Sequence, residues 1–194
     1  MRSEHGIYSI WRKDPWPREL LLLDNDFFGN PGWQFLADDI REGGFKVSFN
    51  QGINARFLTD EAAESIASLD YRDNEMKTKR IYTAWDNLKD EGRLFDGLER
   101  LVKYGVKPDH IMVYVLCGYW PGETTEDRLY RIQKLLDFGA RPYPMPHKRT
   151  PELVGLQRWA VGAYTKRIDW KDWAGNNFRP EGIGRPAPTF PLLD

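Results

Sequence analysis

LLLLDNDFFGNPGW, residues 20–33, runs four leucines straight into Asp24, Asn25 and Asp26 and then into a Phe-Phe-Gly-Asn-Pro-Gly turn. A short, wholly apolar run has the length of a buried strand, yet strand packing does not call for three polar side chains in succession at the tip. Similar apolar runs recur at 45–49, 80–85, 111–118 and, more weakly, 141–146, with starts roughly 25 to 35 residues apart. Their Val, Ile, Leu and aromatic content suits strands covered on both faces.

Helical patterns fill the intervals. Leu129, Ile132, Leu135 and Leu136 share one face of 126–138, and Leu94, Phe95, Leu98, Leu101 and Val102 do the same before Lys103-Tyr104-Gly105. Thr59-Asp60-Glu61 and Thr124-Thr125-Glu126-Asp127 have the residue types of helix starts. Strand and helix alternating about five times imply an α/β fold with parallel strands and right-handed crossovers. A doubly wound sheet and a (β/α) barrel both satisfy this order. An eight-unit barrel takes ~250 residues, so a chain of 194 allows an open sheet or a partial barrel. The expected organisation is a lead-in over 1–19, one (β/α) domain over 20–173, and a Pro- and Gly-rich tail over 174–194, extended or disordered.

Composition narrows the partners. Lys plus Arg number 28 and Asp plus Glu 29, a balance that argues against a nucleic-acid or membrane surface. No apolar run approaches the ~20 residues that span a bilayer. One cysteine, Cys117, excludes an internal disulfide, and with an N-terminus lacking an apolar core it points to the cytoplasm.

In parallel α/β folds the loops after the strands share one rim, where ligands bind. Here the strand ends carry Asp24, Asn25 and Asp26; Asn50, Gln51, Asn54 and Arg56; Asp86 and Asn87; Cys117 to Glu123; and His147 with Lys148. Asp and Asn are also common helix caps and turn residues, which is the commoner explanation for any one position. Gln51 and Arg56 are harder to explain that way. In GYWPGET (118–124), Gly118 would let backbone approach a flat ligand, Pro121-Gly122 makes a turn, and Glu123 suits the first turn of a helix.

Taken together these segments resemble the radical S-adenosylmethionine superfamily, whose core is a six-unit partial TIM-like (β/α) barrel. VLCGYWPGETTED is similar to the family's segment after its fifth strand, LLLLDNDFFGN to the second strand of one subgroup, FNQGINARFLTDE to the third, and IYTAWDN to the fourth. LQRWAVGAYTKRIDW resembles a closing helix. The resemblance implies S-adenosylmethionine bound at the rim. Asp24, Asn25 and Asp26 would hold its amino group; Gln51 and Arg56 would face the cofactor or substrate, with Arg56 suited to the methionyl carboxylate. Asp86 and Asn87 would face the ribose, and Gly118 and Tyr119 the adenine. It also implies a [4Fe–4S] cluster and a 5′-deoxyadenosyl radical for hydrogen abstraction. The family's C-x3-C-x2-C loop is missing, and one thiol cannot hold that cluster. The chain thus corresponds to about five of six βα units, the first being absent.

Three functions follow as expectations: part of a radical enzyme completed by a longer N-terminus or a separate polypeptide; a clusterless binding or scaffold protein whose open strand edge pairs with an N-terminal partner or with itself; or a Mg²⁺-dependent hydrolase or transferase using Asp24, Asp26 and Asp86.

Overall fold

The computed structural model describes residues 16–162 and 164–176. Its element order is β1 (Glu19–Leu22), α1 (Trp33–Glu42), β2 (Lys46–Phe49), α2 (Asp60–Ser68), β3 (Asp70–Tyr71), β4 (Ile81–Trp85), α3 (Glu91–Lys103), β5 (Ile111–Cys117), α4 (Thr125–Phe138), β6 (Arg141–Pro146), α5 (Pro151–Val161) and α6 (Trp170–Asn176). The helices begin and end for local reasons. Thr124 Oγ1 accepts from Asp127 N at 3.1 Å while Asp127 accepts from Thr124 N at 2.9 Å, a reciprocal cap that starts α4. Gly139, at φ 89°, ends that helix in a conformation a side chain would disfavour. Thr59 and Thr150 cap α2 and α5 through single hydroxyl bonds.

The strands form two three-stranded parallel sheets, in the orders β1-β2-β3 and β4-β5-β6. Leu20 pairs with Val47 and Leu22 with Phe49; in the second sheet Thr83 pairs with Val113 and Tyr114 with Tyr143. Ile53 N donates to Tyr82 O at 2.8 Å, which ties the loop after β2 to β4 and joins the two sheets. The described strands do not close into a barrel. Strand β3, two residues long, was not legible as an apolar run.

One face of each sheet is sealed by helices. Ile81, Trp85, Ile111, Val113, Val115 and Cys117 have no exposed surface, and they pack with Leu94, Leu98, Ile132 and Leu135 in one core. Each such side chain contributes about 1.5–3 kcal/mol of burial. The other face departs from the expectation of strands covered on both sides. Met112, Tyr114 and Leu116 alternate with the buried residues of β5 and are only part-covered, and Leu21 and Met145 are exposed.

At the C-terminal end the expected closing helix is interrupted. Helix α5 stops at Val161 and α6 resumes at Trp170, with Trp159 Nε1 donating to Ile168 O at 2.8 Å across the break. Residues 174–176, expected in the tail, complete α6. The rest of the tail (177–194) and residues 1–15 of the lead-in lie outside the described residues. No helix among the described residues is long and apolar enough to cross a membrane.

Candidate functional site

The loops after β1 and β2 and the middle of β4 and of β5 meet in a cleft of about 160 Å³ lined by Asn25, Gln51, Asn54, Arg56, Thr83 and Tyr114, together with Gly52, Ile53 and Ala84. Each wall has a local cause. Gly52 adopts φ 87°, a conformation that favours glycine, and a Cβ there would also come within 3.1 Å of the Tyr82 carbonyl. That close approach swings the chain across β4, and the following short turn, Ala55–Phe57, presents Arg56 to the opening. Helix α3 holds the turn from behind: Gly97 lies against the Ala55 carbonyl so closely that no side chain fits between them.

Arg56 does not stand alone. Its Nη1 donates to Asp90 Oδ2 at 3.0 Å and its Nε to Asn54 Oδ1 at 3.1 Å. Asp90, at the start of α3, also accepts from Arg93 at 2.7 Å. The guanidinium is therefore aimed and partly neutralised, with its side chain still 33% exposed. Among the lining side chains, Asn25, Gln51 and Asn54 offer carboxamides, Thr83 and Tyr114 hydroxyls, and Arg56 the formal charge. The donor set matches a small polar ligand bearing a carboxylate.

The expected site residues divide. Asn25, Gln51 and Arg56 come together in the cleft. Asp24 is occupied in its own loop, accepting from Asp26 N at 3.0 Å and Asn30 Nδ2 at 2.6 Å. Asp26 closes the same loop, its carboxylate backing onto Gly29, where a Cβ would lie 2.6 Å from Oδ2. Asn87 caps the turn before α3 by accepting from Lys89 N at 2.9 Å. Asp86 takes part through its carbonyl, which accepts from Trp120 Nε1 at 2.7 Å. Asp24, Asn87 and the Asp86 backbone thus shape loops rather than line the cleft. Among the described residues, no three His, Cys, Asp or Glu side chains are placed to hold a metal ion, so Asp24, Asp26 and Asp86 do not converge as a Mg²⁺ site would require.

The GYWPGET segment is built differently from its expected role. Glu123 is more than a first-turn acid. Its carboxylate, 7% exposed, accepts from the Gly118 backbone N–H, from Arg128 Nε at 3.0 Å and from the guanidinium of Arg131. Arg131 also donates to the Trp85 carbonyl at 3.0 Å. The segment is thereby bolted to the ends of β4 and β5. Gly118 sits at φ 78°, a conformation that L side chains rarely adopt, and a Cβ there would also meet the Leu153 side chain of α5 at 2.7 Å. Tyr119, half exposed, stands edge-on to Trp120 and His147 at 5.0 and 4.9 Å between ring centres.

Two further groups bear on the chemistry. Cys117 is buried beneath the helices, and burial pushes its thiol up to about 11. Tyr82, Tyr114 and Tyr143 stand side by side on the part-covered face, with ring centres 5.9 and 5.5 Å apart. Burial, together with its two tyrosine neighbours, pushes Tyr114 up to about 12. Tyr114, Thr83, Asp90 and Arg131 were missed as functional residues. A tyrosine within each of three strand sequences (IYTAW, MVYVL, RPYPM) was the available signal for the first; nothing local marks the others. Compared with protein-family models, curated proteins and solved structures, the chain matches none.

Proposed function

We propose that this protein binds S-adenosylmethionine, or a close adenosyl amino acid, in the cytoplasm, with the amino-acid end in the cleft between the β1, β2 and β4 loops. The observation that carries the reading is the convergence of Asn25, Gln51 and Arg56 from two separate loops onto one opening. Arg56 takes the carboxylate, and the carboxamide oxygens of Asn25 and Gln51 accept from the ammonium group. The cleft, at about 160 Å³, is smaller than the roughly 300–1,000 Å³ of sites that enclose a whole drug-sized ligand. The nucleoside end therefore extends outside it. The architecture this reading uses is a partial (β/α) barrel of about five units, with the part-covered face turned inward.

The residues of this chain do not fit a [4Fe–4S] cluster. Such a cluster takes three thiolates, and the one cysteine here is buried on β5 with its thiol held protonated. Reductive cleavage to a 5′-deoxyadenosyl radical would need thiolates from outside the 194 residues of this sequence. The clusterless binding function is accordingly the one proposed for the chain itself.

Equilibrium dialysis with S-adenosylmethionine tests it. Binding to the wild type, weakened on the order of 10- to 100-fold in Arg56→Ala, is expected from loss of a charge-assisted pair. No binding to the wild type, or equal binding to both proteins, would reject the cleft as the site.

A further inference from the structure

Two arginines from separate strands meet at one backbone oxygen. Arg80, just before β4, donates from Nη1 to the Asp109 carbonyl at 2.9 Å. Arg141, the first residue of β6, donates from Nε to the same oxygen at 2.8 Å. Asp109 sits in the short turn Pro108–His110 that leads into β5, the strand between β4 and β6. The parallel register explains the meeting: Ile81 pairs with Ile111 and Met112 with Arg141, so the starts of β4 and β6 flank that turn from both sides. One shared acceptor holds the two donor nitrogens within about 6 Å of each other, by ordinary hydrogen-bond lengths. A guanidinium has several N–H groups, and each of these uses one of them on the carbonyl.

The pairing of like charges is unfavourable as it stands, because a carbonyl has no formal charge to set against two cations. Burial, and then the charge of Arg141, hold Arg80 below the usual arginine range, with Asp73 and Asp109 acting in the opposite sense. Further cations face the same place. Burial, with the charges of Lys107, Arg80 and Lys79, holds the His110 imidazole below its usual range against the pull of Asp109. Of the neighbouring carboxylates, Asp70 is bound to Arg72 at 2.8 Å and to Lys79 at 2.9 Å, and Asp73 accepts from the backbone N–H groups of Lys77 and Thr78.

We infer that Arg80 and Arg141 form the receptor for a phosphate-class oxyanion, either free phosphate or a phosphate monoester, at the N-terminal ends of β4 and β6. A tetrahedral dianion presents several oxygens, two of which can accept from guanidiniums this close together while its charge offsets theirs. A carboxylate carries a single charge and relieves less of the repulsion. Lys107 and His110 add positive potential from the turn between the two arginines. The receptor is separate from the cleft of Asn25, Gln51 and Arg56, which is built on the loops after β1 and β2, so neither site depends on the other.

Calorimetric titration of the full chain with inorganic phosphate, and separately with glycerol 3-phosphate, tests this. Over about 0.1 to 20 mM, at an ionic strength held constant with chloride, one saturable site is expected. Arg80→Gln and Arg141→Gln should each weaken it on the order of 10- to 100-fold, the loss of one charge-assisted contact, whereas Arg41→Gln on α1 should leave it unchanged. A second readout needs no variant: the His110 imidazole should titrate at higher pH with phosphate bound, since a nearby anion favours its proton. Tighter binding of glycerol 3-phosphate than of phosphate would assign the site to a monoester, and the reverse to the free ion. No saturable binding of either probe, equal binding to the wild type and both arginine variants, or a His110 titration unmoved by saturating phosphate would overturn the inference.

Discussion

The guanidinium of Arg131, 1% exposed on α4, is bound to the carboxylate of Glu123 at the end of β5 and to the Trp85 carbonyl at the end of β4. A buried pair of this kind is costly to break from one side, because the partner is left charged in an apolar setting. Glu123→Ala should therefore lower unfolding free energy by about 3–5 kcal/mol, and a paired Glu123→Leu, Arg131→Met variant should recover part of that loss. Urea unfolding of the two variants beside the wild type would check this. A loss under 1 kcal/mol in the single variant would mean that the pair is hydrated in solution.

Gly97→Ala should act on both stability and the site. A methyl group there must push α3 off the Ala55 carbonyl, and the displaced turn carries Arg56. Overpacking of this kind costs about 1–3 kcal/mol. Weaker S-adenosylmethionine binding should accompany the fall in melting temperature; unchanged affinity would show that the turn and the helix move independently.

Asp90→Asn should release Arg56. The carboxylate at 3.0 Å competes with any ligand carboxylate for the same guanidinium. Removing its charge is expected to tighten binding of a carboxylate ligand by roughly 3- to 10-fold, within the range of a part-exposed ion pair. The analogue without the carboxylate should show no such gain. Calorimetric titration of both ligands would separate these effects, and a loss of affinity would assign Asp90 to aiming Arg56 rather than restraining it.

Alkaline pH should probe the tyrosine row. Tyr114 is raised from 10.0 to about 12, so the folded chain holds its proton longer than the unfolded chain does. Its contribution to stability is complete below pH 10 and is lost as pH rises through about 12. Absorbance at the phenolate band should show late-titrating tyrosine in the native protein, and Tyr114→Phe should remove that phase. Ordinary titration of every tyrosine would contradict the burial of this row.

Cys117 should be chemically silent. With its thiol raised to about 11 by burial, it should resist a disulfide reagent at pH 8 in the native state and react at once in denaturant. Iron and sulfide added anaerobically should leave no cluster on this chain. Rapid native labelling, or about four irons bound per chain, would show that the thiol is reachable.

Much of the strand and helix order was legible because periodicity and caps are local. The apolar runs, the Thr124 helix start and Gly105 after the helix that ends at Lys103 are each set within a few residues, where backbone geometry and side-chain reach decide the outcome. Strand β3 was not legible, since two residues, Asp70 and Tyr71, make no pattern. The halt of α5 at Val161 was missed as well. Gly162 is a weak stop, and what holds the break is the Trp159 bond to Ile168 across it.

The rim was half legible for the same reason. The sequence by itself determined that polar residues follow each strand and that a single cysteine cannot supply a cluster. Only the tertiary structure decided which of those polar groups are free to meet a ligand. Asp24 and Asn87 are consumed by bonds within their own loops, while Asn25, Gln51 and Arg56 reach one cleft with Thr83 and Tyr114. It also decided that Glu123 ends in a buried ion pair with Arg131. A residue's type sets the bonds it can make. Which bond it makes depends on the partner that folding brings within about 3 Å, often from tens of residues away.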